Sequence, residues 1–261
     1  MKRFALLALT APLALLAACG GTTQPAETPA APAPSVTQTT DAPAAPSTSD
    51  AIVFAAASLN TVFPDIADAK YSFDGSSGLV DQLKGGAPAD VFASADKKNM
   101  DAAVEAGLMD GAPVMFATNY LVLVTPADNP AGITGFDASL EGTKLVICAP
   151  DVPCGAATVK AAEANSLTLT PVSEEAKITD VLGKVTAGEA DAGLVYATDA
   201  TGAGDKVKVF EVPGAKEDPN TYWIGKVKGA PTPDQADAFI AAITGAEGQA
   251  KLAAFGFGAP Q

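Results

Sequence analysis

Three short segments of small residues carry the chemistry that this sequence offers. Ser58 lies in an Ala-Ala-Ala-Ser-Leu-Asn run at 55–60, directly after an apolar run typical of a β-strand. A Gly-Ser-Ser-Gly segment at 75–78 and a Val-Pro-Cys-Gly segment at 152–155 each precede a helix-forming stretch. Any one of them is explained by helix capping, but helix N-termini and hydroxyls also suit a bound anion. Three such joins in one alternating chain indicate a shared anion-binding cleft.

The residues that usually perform catalysis are missing. The chain has no histidine, so a serine or cysteine nucleophile would lack its usual base. The G-x-S-x-G, P-loop and G-x-G-x-x-G motifs are absent. A surface-anchored hydrolase using Ser58 would need a lysine base, yet position 61 is Thr and no S-x-x-K motif results. The three cysteines cannot close a common zinc site. The sequence therefore predicts no catalytic residue, no cofactor and no metal held directly by side chains.

The charge balance excludes other partners. The chain has 30 acidic and 16 basic residues, a formal net charge of −14 at pH 7, and its only arginine is Arg3. Nucleic-acid recognition depends on clustered Lys and Arg, and anionic membrane surfaces attract the same residues. We therefore expect no nucleic-acid partner.

The N-terminal residues predict export. Lys2 and Arg3 precede an apolar run that ends in Leu-Ala-Ala before Cys19, an ending that resembles the bacterial lipobox. We interpret 1–18 as a signal peptide and Cys19 as the lipidated residue, which anchors the protein to the outer face of the cell membrane; an ordinary secretory signal is the alternative. In 20–50, 23 of 31 residues are Ala, Pro, Ser or Thr, so 19–50 is predicted to be a disordered tether.

Residues 51–261 alternate apolar, strand-like runs with helical stretches. The predicted strands are 52–56, 90–94, 120–125, 144–149, 192–197, 207–212 and 223–227. The predicted helices are 59–70, 79–84, 97–106, 156–164, 177–187 and 232–243. This alternation predicts an α/β fold in which helices cover parallel sheets. Pro64 should kink the first helix or delay its regular part.

Four segments, in this order, resemble the molybdate-binding proteins that serve bacterial ABC importers. They are Phe-Ala-Ala-Ala-Ser-Leu at 54–59, the run at 86–96, Val-Pro-Cys-Gly at 152–155 and the run at 193–200, and the likeness covers nearly all of 51–257. The resemblance implies a two-lobe periplasmic-binding-protein-like fold of type II, with a two-stranded hinge and the ligand cleft between the lobes. Lobe one would comprise 51–121 plus 225–261, and lobe two would comprise 122–224.

The same resemblance implies the ligand-binding residues, which are Ser58, Ser76, Cys154, Ile178 and Tyr196. Hydroxyl groups would donate from the two serines and the tyrosine, and the serines would also donate through their amides. Cys154 and Ile178 would contribute only main-chain N–H groups. The implied function is that of a monomeric extracytoplasmic receptor, which delivers molybdate or tungstate to an ABC permease and its ATPase.

The composition agrees with such a ligand. Fully deprotonated molybdate only accepts hydrogen bonds, so hydroxyls, amides and helix N-termini can hold it without Arg or His. Phosphate often carries a proton at neutral pH and needs an acceptor. Sulfate is acceptor-only as well and would have to be excluded by cavity size, whereas tungstate is almost the size of molybdate. A receptor of the same fold for sulfate or another small anion is therefore the alternative.

Five further positions carry predictions. If Cys19 is lipidated, Cys148 and Cys154 remain in an oxidising location, and we predict a disulfide that braces the loop before Ala156; two free buried thiols are the alternative. Gly75 replaces a serine next to the pocket in the resembled family, which removes a hydroxyl. Tyr222 and Trp223 are predicted to pack at the lobe crossing rather than to contact the ligand.

Overall fold

The computed structural model describes residues 47–261. The predicted signal peptide, Cys19 and the tether up to residue 46 lie outside this range. The strands of the described part are β1 Ile52–Ala56, β2 Lys70–Asp74, β3 Val91–Ser94, β4 Met109–Asn119, β5 Leu121–Pro126, β6 Leu145–Cys148, β7 Ser173–Glu175, β8 Ala192–Tyr196, β9 Val207–Glu211 and β10 Asn220–Val227.

Helices separate most of these strands. The α-helices of residues 47–261 are α1 Val62–Ile66, α2 Ser76–Lys84, α3 Lys97–Glu105, α4 Pro153–Ala164, α5 Ile178–Thr186, α6 Ala197–Ala203, α7 Pro233–Thr244 and α8 Ala246–Ala254. Short 3-10 helices span Ala57–Leu59, Ala138–Leu140 and Gly204–Lys206. No helix in this part of the chain is long and apolar enough to span a bilayer.

Two five-stranded sheets form the cores of two lobes within residues 47–261. The first sheet has the order β2-β1-β3-β10-β4, and the second has the order β7-β6-β8-β5-β9. The two-lobe α/β fold predicted from the sequence is thus confirmed. The chain passes from the first sheet to the second at Tyr120, between β4 and β5, and returns between β9 and β10. The predicted second lobe limit, after residue 224, falls inside β10, which belongs to the first sheet.

The prediction of purely parallel sheets is wrong, because both sheets are mixed. Strands β2, β1 and β3 are parallel, as are β7, β6 and β8, but β10 and β5 run antiparallel to their neighbours. The connectivity explains the difference. Strands β5 and β10 are each the first strand after a crossing from the other lobe. Their N-terminal ends therefore lie at the edge of the sheet that faces the cleft, and the strands point away from the cleft. The parallel strands instead end at that edge.

The predicted helix 59–70 is wrong in its second half. A 3-10 turn covers Ala57–Leu59, the regular helix α1 begins only at Val62, and Lys70 already belongs to β2. Pro64 lies in the first turn of α1, where its missing N–H costs no helical hydrogen bond. The start of regular helix is therefore delayed, one of the two outcomes predicted for Pro64.

Strand β4 was not predicted, since Gly111 and Pro113 interrupt its apolar pattern. It lies at the edge of the first sheet, where a strand tolerates proline, and its register against β10 shifts at two places. The strands β2 and β7 were also missed. Both are edge strands, and one of them has only three residues.

Buried aromatic rings and one buried carboxylate hold the first lobe together. The Phe63 ring lies 5.5 Å from that of Phe239 and 5.8 Å from that of Phe116. The Asp90 side chain is fully buried, and its carboxylate accepts hydrogen bonds from the N–H groups of Ile52 at 2.7 Å and Thr232 at 2.5 Å. Asp90 therefore ties the start of β1 to the start of α7.

Candidate functional site

A small cavity of about 10 Å³ lies between the two lobes. All five residues predicted to bind a ligand line it: Ser58, Ser76, Cys154, Ile178 and Tyr196. Each of the five is at most 4% exposed. The remaining lining residues are Ala56, Ala57, Asp74, Gly75, Ala95, Val152, Pro153 and Lys177. The fold thus brings together residues that are up to 138 positions apart in the sequence.

Three helices begin at this cavity. Ser76 is the first residue of α2, Cys154 is the second residue of α4, and Ile178 is the first residue of α5. The N–H groups of a first helical turn have no intrahelical acceptor, and the aligned peptide dipoles place partial positive charge there. The cavity is consequently suited to a small anion, although none of the five predicted residues has a cationic side chain.

Ser58 projects from the 3-10 turn that follows β1. Its Oγ lies 2.9 Å from the hydroxyl oxygen of Tyr222, a residue of β10 that is wholly buried. The Tyr222 ring also packs edge-on against the rings of Phe257 and Tyr196, with centroids 5.5 and 5.9 Å away. Tyr222 therefore packs at the lobe crossing, as predicted, and in addition it forms a hydrogen bond to Ser58 that the sequence did not reveal.

The other two hydroxyls of the cavity also have hydrogen-bond partners. The Ser76 Oγ accepts from the Ala95 N–H at 3.1 Å, and the Tyr196 hydroxyl accepts from the Asn220 side-chain amide at 2.9 Å. Burial raises the pKa of Tyr196 well above its usual range, and burial likewise raises the pKa of Tyr222. Both phenols therefore keep their protons at physiological pH. Asn220 was not identified from the sequence, because no motif surrounds it.

A disulfide braces the loop that leads into α4. Cys148 at the end of β6 is bonded to Cys154, with Cα atoms 5.7 Å apart, and this is the pair that the sequence predicts. The turn is tight, since a Cβ atom at Gly155 would stand only 1.8 Å from the Ala149 carbonyl oxygen. The Cys154 sulfur is committed to the bridge, so Cys154 can offer only its main-chain N–H to a ligand.

Two charged side chains at the cavity were not predicted. One Asp74 carboxylate oxygen accepts from the Gly75 N–H at 2.8 Å, and the other accepts from the Gln82 amide at 3.4 Å. Lys177 is the N-cap residue of α5 and is half-buried. Within residues 47–261, no three His, Cys, Asp or Glu side chains cluster closely enough to hold a metal ion.

Two lobes with an anion-suited cavity between them define a solute-binding receptor. Residues 44–258 match the family of bacterial extracellular solute-binding proteins, and the chain belongs to this family. It is 41% identical over 256 residues to the molybdate-binding protein ModA of Mycobacterium tuberculosis strain H37Rv, a match that covers 94% of this chain and 93% of that protein. Such proteins bind solutes for transporters and are not enzymes.

Solved structures share the same fold. The periplasmic molybdate-binding protein of Azotobacter vinelandii superposes with a TM-score of 0.72 at 21% identity, over 81% of this chain and 100% of that one. The sulfate-binding protein SubI of Mycobacterium tuberculosis superposes with a TM-score of 0.62 at 19% identity, over 79% and 85% of the two chains. At these identities the structures establish the fold and leave the solute open.

Proposed function

We propose that this protein is an extracytoplasmic receptor that binds molybdate and delivers it to an ABC importer. The observation that carries the proposal is the convergence of Ser58, Ser76, Cys154, Ile178 and Tyr196 on one small cavity. These residues are complementary in kind to an acceptor-only anion, since hydroxyls and main-chain N–H groups can all donate. The 41% identity to a molybdate-binding relative supports the choice of this oxyanion.

The binding energy in this proposal comes from dipoles and hydrogen bonds. Each helix N-terminus at the cavity carries roughly half a positive charge, and hydrogen bonds to a charged acceptor are worth about 1.5–3 kcal/mol each. Ser58, Ser76 and Tyr196 would donate through their hydroxyls. The main-chain N–H groups of Cys154 and Ile178 would complete the set. Lobe closure then buries the anion and presents the closed receptor to the permease and its ATPase.

Tungstate is proposed as a second ligand, because its size and charge are almost those of molybdate. Sulfate is the competing candidate, since a sulfate-binding protein shares the fold. A smaller ion would leave some donors stretched, and each buried donor without a partner costs about 1–3 kcal/mol. Cavity size is therefore the property that should separate sulfate from the two metal oxyanions.

A serine hydrolase is a weaker alternative. Within residues 47–261, the hydroxyl partner of Ser58 is the Tyr222 phenol, whose pKa is raised by burial and which therefore cannot act as a base at neutral pH. The chain has no histidine to take that role. The environment of Ser58 favours hydrogen bonding over nucleophilic attack.

Calorimetric titration of the purified protein with molybdate, tungstate, sulfate and phosphate tests the proposal. We expect tight binding of the first two anions and weak or undetectable binding of the others. A preference for sulfate would contradict the molybdate assignment while leaving the family intact. Gel filtration in the same buffer, with and without molybdate, tests the proposed monomer, which a shift to twice the mass would contradict.

The proposed attachment to the membrane rests on the Leu-Ala-Ala-Cys ending at 16–19, which lies outside the described residues. We propose that Cys19 carries the lipid and that the following tether keeps the receptor near its permease. In cells given a radiolabelled fatty acid, the wild-type protein should take up label and remain with the membrane fraction. Cys19→Ala should lose both properties. A wild-type protein recovered without label in the soluble fraction would contradict the anchor.

A further inference from the structure

Each hydroxyl that lines the cavity has a hydrogen-bond partner within the protein. A hydroxyl has only one hydrogen, so it can donate to a bound anion only if that partner donates to the hydroxyl oxygen. If the partner instead accepted, the hydrogen would be turned away from the ligand. The direction of three hydrogen bonds, at Ser58, Ser76 and Tyr196, therefore decides whether these hydroxyls offer a bound anion a donor or an acceptor.

The direction at Ser76 follows from chemistry. Its partner is the Ala95 main-chain N–H, 3.1 Å from the Ser76 Oγ, and a main-chain N–H can only donate. Ser76 is 1% exposed, so water has little access to reverse the arrangement. The hydrogen of the Ser76 hydroxyl is thereby left for the cavity.

The direction at Tyr196 follows from a second contact of Asn220. The same end of the Asn220 amide lies 3.2 Å from the Ala95 carbonyl oxygen and 2.9 Å from the Tyr196 hydroxyl. A carbonyl oxygen only accepts, so this end of the amide must be the NH₂ group. Its two hydrogens serve the two oxygens. The Tyr196 hydroxyl consequently accepts from Asn220 and keeps its own hydrogen for the cavity.

The bond between Ser58 and Tyr222 has no such constraint, because either hydroxyl can be the donor. Both oxygens are buried, and Tyr222 keeps its proton because burial raises its pKa. If Tyr222 donates, all three cavity hydroxyls present hydrogens. If Ser58 donates, the cavity presents one lone pair, which suits a protonated oxyanion instead.

We propose that Tyr222 and Asn220 are positioning residues, which set all three cavity hydroxyls to donate and thereby select fully deprotonated oxyanions over protonated ones. The inference deepens the proposed function and rests on it for the identity of the anion. It assigns Tyr222 as the donor to Ser58. Discrimination against phosphate is then a property of residues that never touch the ligand.

Tyr222→Phe tests the one bond whose direction chemistry leaves open. We expect molybdate affinity to fall about 3- to 10-fold, because the Ser58 hydroxyl is no longer held toward the ligand. The ratio of molybdate to phosphate affinity, measured by competition, should also fall, because the released lone pair of Ser58 can now accept from a protonated anion. A gain in molybdate affinity, or an unchanged ratio, would overturn the assignment of Tyr222 as donor.

Two comparisons separate positioning from a loss of structure. In the Ser58→Ala background, Tyr222→Phe should have a much smaller effect on affinity, since Tyr222 acts mainly through Ser58. An equal loss in both backgrounds would overturn the proposal. Tyr71→Phe is the matched control: the Tyr71 hydroxyl donates to the Phe63 and Ala67 carbonyls outside the cavity, so its loss should lower the melting temperature without changing the affinity ratio.

Asn220→Asp provides a second variant in case Tyr222→Phe does not fold. A carboxylate at position 220 can only accept, so the Tyr196 hydroxyl would turn its hydrogen toward that carboxylate and away from the cavity. We expect molybdate affinity to fall more than about tenfold. Asn165→Asp adds the same charge at the end of α4 and should leave affinity unchanged.

If the wild-type protein binds sulfate rather than molybdate, the proposed function fails, yet the same variants titrated with sulfate still test the positioning role. Equal losses in the two Asp variants would contradict it.

Discussion

Gly75 of the first lobe lies directly against the main-chain carbonyl of Ala176 in the second lobe. A Cβ atom at position 75 would stand 2.2 Å from the Ala176 oxygen and 3.4 Å from a methyl carbon of Val152. No side chain fits at such a distance, so the lobes approach this closely only because residue 75 has none. The sequence suggested merely a lost hydroxyl at Gly75, whereas the structure gives the residue a role in lobe closure.

Gly75→Ala should therefore weaken molybdate binding without unfolding the protein. The added methyl group penalises the closed arrangement and leaves the open one unaffected, so the population shifts toward open lobes. We expect an affinity loss of about tenfold, seen mainly as faster dissociation in stopped-flow measurements. Gly202→Ala is the control, because a Cβ atom there meets nothing within 4 Å. An unchanged dissociation rate in Gly75→Ala would contradict the closure role.

Removal of the Ser58 hydroxyl should weaken binding by about 1.5–3 kcal/mol, the value of a hydrogen bond to a charged acceptor. The variant should also be less stable, because the buried Tyr222 hydroxyl loses its partner. Ser58→Asp should bind still more weakly, since it places a carboxylate against an anion. Ser72→Ala on β2, outside the cavity lining, serves as control in both calorimetry and thermal unfolding. Wild-type affinity in both Ser58 variants would show that the ligand binds elsewhere.

The disulfide between Cys148 and Cys154 should protect both cysteines from alkylation. Alkylation of the denatured protein without reductant should leave Cys148 and Cys154 unlabelled by mass spectrometry, whereas prior reduction should add label at both. Replacing both cysteines by serine should cost about 2 kcal/mol of unfolding free energy, as expected for a bridge that closes a short loop. Labelling at both positions before reduction would show that the bridge does not form.

The free energy of unfolding should depend on pH through the carboxyl group of Asp199. Its carboxylate accepts from the Tyr196 N–H at 3.2 Å, and burial raises the pKa of Asp199 from 3.8 to about 7. The folded protein thus holds this proton more tightly than the unfolded chain does, so the contribution to stability is full below pH 3.8 and is lost as the pH rises through about 7. Asp199→Asn keeps an acceptor for the N–H group and should remove this dependence.

Denaturant unfolding of wild type and Asp199→Asn from pH 4 to pH 8 measures the effect. The variant should gain stability relative to wild type as the pH rises. Asp151→Asn in an exposed turn changes the net charge equally and corrects for it. A constant difference between Asp199→Asn and wild type across this range would contradict the raised pKa.

The sequence by itself determined the fold class, because alternating apolar runs place the strands and short Gly- and Ser-rich segments mark the joins where helices begin. It also predicted the pairing of Cys148 with Cys154, since Cys19 is the expected site of the lipid. The five candidate ligand residues came from the resemblance to molybdate-binding proteins. Where local signals were weak, prediction failed. The edge strand β2 alternates polar and apolar residues, and Asp110, Gly111 and Pro113 disturb the apolar pattern of β4.

Only the tertiary structure decided which groups form hydrogen bonds with the side chains of the candidate ligand residues. Tyr222 and Asn220 lie on β10, which follows the second lobe in the sequence, so no sequence spacing connects them with Ser58 or Tyr196. The antiparallel course of β5 and β10 and the contact of Gly75 with Ala176 likewise depend on where the lobes meet. Hydrogen-bond direction and lobe contact are properties of groups brought together from distant parts of the chain, which local residue patterns do not encode.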